Sequence, residues 1–245
     1  MESPTPSVPH QKDYCVPFLD NIATSQLALF PISIRGQTFE IWDIKDSDTP
    51  QWVERDMNES AYGLSDLMGL KTIVDIGANT GIFSIYCAKV FPDSTIYAYE
   101  PFQINFDNLV RNLEHNQIKN VIPIQMAVTG NGRNIGLACP VNNSGSASFF
   151  HGINITTPNT PSITLDALIE PLGSVDLLKI DIESLEYEVL WMFNQWTRVN
   201  NLSVELHGLF PYPKGLWQDA LEKFASELRS KPIRGKLWIN DLNRL

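Results

Sequence analysis

The sequence lacks the features that mark several classes of protein. It has no run of 18 apolar residues, and its Pro- and Ser-rich residues 1–11 hold no apolar signal-peptide core. We therefore expect a cytoplasmic protein that does not enter a membrane. Its 18 basic residues are outnumbered by 28 acidic ones, which gives a formal net charge of −10. Because nucleic-acid backbones are bound by clustered Lys and Arg, we expect no nucleic-acid partner.

Cysteine is also scarce, with Cys15, Cys87 and Cys139 spread over 245 residues. An odd number at wide spacing forms neither a disulfide framework nor a metal-ligand motif. Apolar residues, in contrast, make up 43% of the chain, which is enough for one α/β domain and a short extension. We place the extension, an arm followed by a hairpin, at residues 1–54 and the main domain at residues 55–245.

The extension shows two apolar runs, at 29–34 and 38–44, on either side of Arg35-Gly36-Gln37. This pattern predicts a β-hairpin. Asp48 and Thr49 then precede Pro50, which predicts the start of a helix that reaches towards Met68.

From residue 70 onward, short apolar strands alternate with helical patterns, which predicts a doubly wound, mostly parallel sheet. The predicted strands are 72–76, 95–99, 121–127, 175–180 and 202–206, and the predicted helices are 81–91, 102–116, 164–169, 185–193 and 216–228. A last strand at 235–239 is predicted to run antiparallel. Short strands are also predicted at 134–139 and 147–150.

The first predicted strand leads into the motif Val74-Asp75-Ile76-Gly77-Ala78-Asn79-Thr80-Gly81. Gly77 and Gly81 permit a tight turn that a ligand can approach, at the strand end where parallel sheets bind ligands. The spacing is Gly-x-x-x-Gly, and Asp75 would repel the pyrophosphate that a Gly-x-Gly-x-x-Gly loop binds. An acid there suits a cation, so the loop predicts S-adenosylmethionine, which carries a sulfonium and an ammonium but no phosphate. We expect Asp75→Ala to abolish methyl transfer without unfolding the protein.

Glu100 ends the second predicted strand. An acid at this position can accept hydrogen bonds from both ribose hydroxyls of a nucleoside cofactor. This role is common to S-adenosylmethionine and NAD, so the first loop alone distinguishes the two cofactors.

Three segments resemble the FkbM-type methyltransferases: residues 74–84, Ala98-Tyr99-Glu100-Pro101, and Leu178-Lys179-Ile180-Asp181-Ile182-Glu183-Ser184-Leu185-Glu186. Further positions fit the same pattern, namely Asn105, Leu109, Asn112, Thr164-Leu165-Asp166 and Val204-Glu205-Leu206-His207. The resemblance covers about residues 70–208. It implies a class I methyltransferase (Rossmann-like) fold and, most often, O-methylation of a hydroxyl on a sugar or natural product.

The chain departs from that family at one point. The family usually has Gly-Ala between the two glutamates where this chain has Ser184-Leu185, which could reshape the substrate side of the pocket. We expect cofactor contacts from the loop, the second strand end and nearby positions: Asp75, Gly77, Ala78, Asn79, Gly81, Glu100, Pro101, Asn105, Ala127 and Asp181.

The predicted catalytic residues are Asp181 and His207, which follow the fourth and fifth strands. S-adenosylmethionine supplies an activated methyl group, so the protein must align the acceptor and remove its proton. His207 is the more attractive base because its unperturbed pKa lies near neutrality. Asp181 is predicted to act as a base or as a cofactor contact. Residues 142–150 could line the acceptor site, since long loops carry specificity in such folds.

Asp181, Glu183, Glu205 and His207 could also form an oxygen-rich site for Mg²⁺ or Mn²⁺. However, side chains two residues apart share a face only while the strand stays extended. Glu183 and Glu186 can instead begin a helix, where acids are stabilising without a metal. We therefore expect no metal, with a divalent ion as the less favoured alternative.

The expected partner is a small-molecule acceptor. Class I methyltransferases normally end in an antiparallel strand pair, and only one such strand is evident here. The edge of the sheet is therefore expected to be either shortened or completed by another chain, and the second alternative would make the protein a homo-oligomer. Two alternative functions stay open, an NAD-dependent oxidoreductase and a non-catalytic binding module with the methyltransferase fold.

Overall fold

The N-terminal hairpin predicted from the sequence is confirmed by the computed structural model, which describes residues 26–59, 62–139, 155–183, 185–207 and 214–241. Strands β1 (Leu27–Ile34) and β2 (Gln37–Ile44) pair antiparallel. Arg35 and Gly36 turn the chain with φ values of 46° and 84°, which suit a tight two-residue hairpin loop.

Helix α1 (Thr49–Asn58) begins where the sequence predicts but ends well before Met68. The longer helix was a wrong prediction, because Gly63 takes a left-handed φ of 64° and a 3-10 turn follows at Leu64–Asp66. The predicted boundary between residues 54 and 55 stays a prediction, and α1 runs across it.

The rest of the chain builds a parallel sheet with helices on both faces. The strands are β3 (Thr72–Ile76), β4 (Thr95–Tyr99), β5 (Val121–Ile124), β6 (Ala127–Val128), β7 (Ile135–Cys139), β8 (Ile155–Thr160), β9 (Ser162–Ile163), β10 (Val175–Ile180), β11 (Val199–Leu206) and β12 (Leu237–Asp241). The helices are α2 (Ile82–Val90), α3 (Gln103–His115), α4 (Leu165–Ile169), α5 (Glu186–Met192) and α6 (Lys214–Arg229).

The central sheet has the strand order β12-β11-β10-β3-β4-β5, and every neighbouring pair in it is parallel. The chain builds outward in one direction from β3 and in the other direction from β10. The strand order therefore reverses between β3 and β10, and the crevice outside their carboxyl ends is where such sheets bind ligands. The predicted doubly wound, Rossmann-like sheet is confirmed.

Three predicted strands require correction or lie outside the description. The last strand is β12, which runs parallel to β11, because α6 returns the chain to the edge of the sheet where β11 also begins. The predicted strand at 121–127 is divided, and its end, β6, pairs with β9 outside the central sheet. The predicted strand at 147–150 and the N-terminal arm up to residue 25 lie outside the described residues.

Successive residues of the central strands pack into different cores. Ile73 and Leu177 join the cluster formed with the hairpin, α2 and α3, whereas Val74 and Leu178 join the cluster formed with α4, α5 and α6. This alternation is expected of strands that are covered on both faces. Within the described ranges, no helix has the length and apolarity needed to cross a bilayer.

The fully buried side chain of Asn112 joins the hairpin to the ligand-side loop of the sheet. It exchanges hydrogen bonds with the backbone of Trp42, at 2.6 Å to the amide nitrogen and 3.0 Å to the carbonyl oxygen. It also donates to the carbonyl oxygen of Thr80 at 2.8 Å. The hairpin is thus tied directly to the loop that follows β3.

Candidate cofactor and acceptor site

The loop after β3 is held by backbone contacts. The amides of Gly77 and Ala78 both donate to the carbonyl oxygen of Tyr99, at 3.0 Å each. Gly77 and Gly81 have φ values of 80° and 96°. A Cβ on Gly77 would collide with the carbonyl oxygen of Asp181, and one on Gly81 would lie 2.6 Å from Leu109 Cδ1. Gly77 is therefore required by the close approach of the backbone, whereas Gly81 is favoured mainly by its positive φ, because the Leu109 side chain can shift.

Glu100 joins the loop to the start of α3. Its carboxylate accepts hydrogen bonds from the amides of Asn79 and Phe102, at 2.8 Å each. Glu100 is only 5% exposed, and burial raises the pKa of this carboxyl group to about 7. Each oxygen can accept a second hydrogen bond, so the predicted contact with ribose hydroxyls is compatible with this arrangement.

Asp75 has no exposed surface. One of its oxygens accepts a hydrogen bond from Ser84 Oγ at 2.7 Å, and the other lies 3.2 Å from Lys179 Nζ. The charge of Asp75 is therefore balanced by a cation of the protein itself. A contact between Asp75 and a cationic ligand stays a prediction, whereas its role within the sheet is evident.

Lys179 lies directly across from Asp75 in the parallel register of β3 and β10. Its ammonium donates to the carbonyl oxygen of Gly77 at 2.7 Å, lies 3.4 Å from Asp181 Oδ2, and sits 5.8 Å from the ring centroid of Phe83. Burial by itself lowers the pKa of Lys179, but Asp75 and Asp181 raise it above its ordinary value. Sequence reasoning assigned Lys179 no role, although a lysine inside an apolar central strand requires a counter-charge.

At the ends of β10 and β11 lies a group that we call the rim cluster: Asp181, Glu183, Glu205 and His207. The predicted neighbourhood of Asp181 and His207 is confirmed, since their strands pair and His207 Nε2 lies 3.7 Å from Asp181 Oδ1. His207 Nε2 also lies 3.6 Å from Glu183 Oε1. Burial raises the pKa values of Glu183 and Glu205 to about 7 each.

Tyr62 is a member of this neighbourhood that the sequence did not reveal. Its hydroxyl lies 3.3 Å from Asp181 Oδ2 and 3.3 Å from Glu205 Oε2, as a donor to either oxygen. Burial raises the pKa of Tyr62, and Asp181 raises it further. The residue precedes β3 in a loop without a motif, so only the fold could place it here.

Glu183 reaches the cluster through a left-handed turn. Its φ is 53°, so the chain is no longer extended beyond β10 and the carboxylate faces His207. Glu186 is fully buried, accepts a hydrogen bond from the Ile182 amide at 2.9 Å and pairs with His207 Nδ1 at 2.8 Å. Burial lowers the pKa of His207, but Glu186 outweighs this and raises it well above the ordinary value. From the sequence, Glu186 was expected only at a helix start.

Three members of the rim cluster, Asp181, Glu183 and His207, each offer one ligand atom within 4.8 Å of the others. The expectation of no metal rested on two points: residues two apart share a face only on an extended strand, and Glu183 and Glu186 can begin a helix. Glu186 does begin α5. The left-handed turn at Glu183, however, brings its carboxylate to His207 without an extended strand, so the first point does not exclude a site.

The remaining predicted cofactor residues differ in their exposure. Asn105 on α3 and Ala127 in β6 are buried at 2% and 3% exposure, and Pro101 is half-buried. Ala127 packs in a small apolar cluster with Phe102 and Leu185, so Leu185 of the unusual Ser-Leu pair fills the core. Ser184 and the predicted acceptor loop at 142–150 lie outside the described residues.

The strand order, the loop after β3 and the acid at the end of β4 together define a Rossmann-like protein of the class I methyltransferase type. The family model of the methyltransferase FkbM domain matches residues 75–230, which is well over half of the sequence. The chain belongs to this family, and the resemblance noted in the sequence is confirmed.

Two curated relatives are similar to the chain over most of their length. Methyltransferase 1 of Beauveria bassiana (strain ARSEF 2860) is 28% identical over 172 residues, covering 60% of this chain and 69% of the relative. Methyltransferase sdnD of Sordaria araneosa is 26% identical over 199 residues, covering 66% of this chain and 77% of the relative.

Solved structures show a more distant likeness. Precorrin-6y C5,15-methyltransferase from Geobacter metallireducens GS-15 aligns with a TM-score of 0.42 and 12% identity, over 70% of this chain and 69% of its own. Methanocaldococcus jannaschii Trm5 in complex with adenosine aligns with a TM-score of 0.30 and 23% identity. That alignment covers 40% of this chain, which spans only 29% of the Trm5 structure. The fold class follows instead from the strand order and the family match.

Proposed function

We propose that this protein is an S-adenosylmethionine-dependent O-methyltransferase that acts on a hydroxyl group of a small molecule, a sugar or natural product. The observation that carries the proposal is the chemistry of the crevice between β3 and β10. Acids flank it on both sides, with Glu100 on the β4 side and the rim cluster on the β10 side. The lysine at the loop, Lys179, is buried and paired with Asp75.

This donor set fits a cationic nucleoside ligand. Glu100 would accept hydrogen bonds from the ribose hydroxyls, and the loop 77–81 would pass beneath the ligand. The carbonyl oxygen of Asp181 lies next to Gly77, where a Cβ on that glycine would collide with it. Asp181 is therefore beside the loop and would face the sulfonium or ammonium. A pyrophosphate would meet carboxylates in the same crevice, which costs electrostatic energy instead of gaining it.

When bound, the cofactor supplies a methyl group on a positively charged sulfur. The chemistry that the cofactor would supply is transfer of this methyl to an acceptor oxygen, with the electron pair of the carbon–sulfur bond left on the sulfur. The hydroxyl proton would leave at the same time, and we assign its removal to Asp181 of the rim cluster. Burial lowers the pKa of His207, but Glu186 raises it well above its ordinary value, which favours an imidazolium that cannot accept a proton. The side chain of Asp181 is 22% exposed and that of His207 is 11% exposed, so Asp181 is the more accessible of the two.

Transfer of labelled methyl from S-adenosylmethionine onto fractionated metabolites of the source cell tests the proposal. We expect label in a product that is stable to base, as an ether is and a methyl ester is not. Glu100→Ala should weaken adenosylhomocysteine binding in calorimetry at least tenfold, because the ribose acceptor is lost. Asp93→Ala is the matched control, since Asp93 is 83% exposed and pairs only at the surface with Lys71.

The dinucleotide alternative makes an opposite prediction in a thermal-shift experiment. The strand order of the sheet also occurs in dinucleotide-binding folds, so the order alone does not separate the two. Stabilisation by adenosylhomocysteine and not by NAD supports the proposal. Stabilisation by NAD alone would overturn it, and binding of neither would favour a non-catalytic module.

A further inference from the structure

We propose that Asp181, Glu183 and His207 bind a divalent metal ion of the Mg²⁺ or Mn²⁺ type. We call these three residues the triad. Their ligand atoms lie within 4.8 Å of one another, with His207 Nε2 at 3.7 Å from Asp181 Oδ1 and 3.6 Å from Glu183 Oε1. Ligands about 2.1 Å from one ion stand roughly 3–4 Å apart, so small side-chain shifts would bring all three into its first shell.

The orientation of His207 points to a ligand independently of the acids. This residue is nine-tenths buried, and its Nδ1 is fixed by Glu186 at 2.8 Å. Its Nε2 faces the triad carboxylates at 3.6 and 3.7 Å, which is too long for a hydrogen bond. A histidine held by a carboxylate through one nitrogen and open at the other is the usual arrangement around a protein-bound metal.

Glu186 is itself held in place. It is fully buried and accepts the amide hydrogen bond of Ile182 at 2.9 Å, and Tyr187 donates to the carbonyl oxygen of His207 at 2.9 Å. These contacts fix both the ring and the backbone of His207, so its Nε2 is preorganised. Preorganisation of this kind strengthens binding because little order is lost when a ligand arrives.

The two oxygens of Asp181 are used differently. Tyr62 and Lys179 both contact Oδ2, at 3.3 and 3.4 Å, whereas Oδ1 is the oxygen that faces His207. Tyr62 and Lys179 therefore engage one oxygen of the carboxylate, and the other oxygen is directed towards the other members of the triad. Two carboxylate oxygens and one imidazole nitrogen suit a hard or borderline divalent ion.

Charge in this part of the structure favours the same ion. Four carboxylates, those of Asp181, Glu183, Glu186 and Glu205, lie around His207 in a mostly buried setting. The ammonium of Lys179 is shared between Asp75 and Asp181, so the basic groups Lys179 and His207 face a larger number of carboxylates. An excess of buried negative charge is costly, and a divalent cation supplies two positive charges at once. The role of the ion, which rests on the proposed function, would be to hold the acceptor oxygen beside the crevice and make its hydroxyl more acidic.

Binding is tested on the purified full chain after treatment with a chelator, with Mn²⁺ alone as the probe. Titration followed by electron paramagnetic resonance should show one Mn²⁺ bound per chain, without cofactor or acceptor present. Glu183→Gln should weaken this binding at least tenfold, and Glu186→Gln should weaken it about 10- to 100-fold through loss of the contact to His207. The melting temperature should rise with Mn²⁺ in the wild type and not in Glu183→Gln.

The matched control is His115→Gln, because His115 also pairs with a glutamate, Glu40, at 3.1 Å, but lies on the surface. It should bind Mn²⁺ as the wild type does. Absence of bound Mn²⁺ in the folded wild type, or unchanged binding in Glu183→Gln, would overturn the inference. Methyl transfer that persists in chelator without bound Mn²⁺ refutes this inference alone, whereas bound Mn²⁺ without any methyl transfer refutes the proposed function alone.

Discussion

The two sides of the crevice are built in different ways. On the β4 side, the carboxylate of Glu100 is engaged by two backbone amides, that of Phe102 two residues later and that of Asn79 in the loop after β3. On the β10 side, the rim cluster is assembled from side chains at the carboxyl ends of β10 and β11, and Tyr62 contacts it from a segment that precedes β3. The first side is fixed by backbone contacts and suits a nucleoside held in one position. The second side gathers several carboxylates around His207, Tyr62 and Lys179, and it is the side on which we propose a divalent ion.

The ion pair between Asp75 and Lys179 joins the two sides, and breaking it should have the largest effect. Asp75→Ala would leave Lys179 buried without its main partner, which typically costs about 3–5 kcal/mol in the free energy of unfolding. Because Asp181 lies 3.4 Å from the same ammonium and stays in place, the loss in the free energy of unfolding should be near the lower end of this range. From the sequence, Asp75→Ala was expected to affect activity alone. From the structure, we expect it to lower stability as well, which urea unfolding measures.

A double-mutant cycle sharpens this first prediction. Replacing both partners, with Asp75→Leu and Lys179→Met, should recover most of the lost stability, because no buried charge is left without a counter-charge. Asp93→Ala at the exposed pair with Lys71 should change the free energy of unfolding by less than about 0.5 kcal/mol. Additive losses in the double variant would show that the pair is not coupled.

The second prediction concerns the close approach of the β3 loop to β10. Gly77→Ala imposes a Cβ at a φ of 80° and drives it into the carbonyl oxygen of Asp181. Gly69→Ala also has a positive φ, of 64°, but open space around the Cβ. The control should lose about 1–2 kcal/mol from the left-handed backbone alone, and Gly77→Ala should lose clearly more. Equal losses in urea unfolding would mean that the loop can move away from β10.

The third prediction uses the raised pKa of Glu100. Because its pKa rises from 4.5 unfolded to about 7 in the folded protein, the native state binds more protons between those values, and stability falls as pH rises through them. Glu100→Gln removes this dependence. The stability of the variant relative to the wild type should therefore improve by about 2–3 kcal/mol between pH 5 and pH 8.

Glu183 and Glu205 have raised pKa values as well, so the wild-type profile alone cannot isolate Glu100. The difference between wild type and Glu100→Gln removes their shared contribution. A difference that does not change with pH would contradict the assignment of the raised pKa to Glu100.

The contrast between the two sides also explains what the sequence could predict. The hairpin, the four inner strands of the sheet, Asp75 and Glu100 follow from local patterns, because alternation and glycine spacing act over a few residues. The neighbourhood of Asp181 and His207 followed from adjacent parallel strands. Tyr62, however, is separated from Asp181 by 119 positions in the sequence, so no local pattern could place it beside the cluster. The left-handed turn at Glu183 could not be predicted either, because glutamate has no preference for that conformation.

The errors in prediction also concern features that depend on contacts between distant parts of the sequence. The orientation of β12 depends on how α6 returns the chain, which is a property of the whole sheet and not of the strand's own residues. The ion pair of Asp75 with Lys179 was not predicted, because Lys179 lies in a strand whose register with β3 could not be known in advance. The predicted contact of Asp75 with a cofactor stays a prediction.

The smallest expected effect belongs to Tyr62→Phe on the rim side. The variant removes one hydroxyl that lies 3.3 Å from both Asp181 and Glu205, and loss of one such hydrogen bond costs about 1 kcal/mol. Tyr86→Phe is the matched control, because Tyr86 is also buried in the core and its hydroxyl has no recorded hydrogen bond to the described part of the chain. Urea unfolding should show a loss for Tyr62→Phe and almost none for Tyr86→Phe. If the loss at Tyr62 disappears when Mn²⁺ is added, the metal ion and not the tyrosine organises the carboxylates; if it persists, the two act independently.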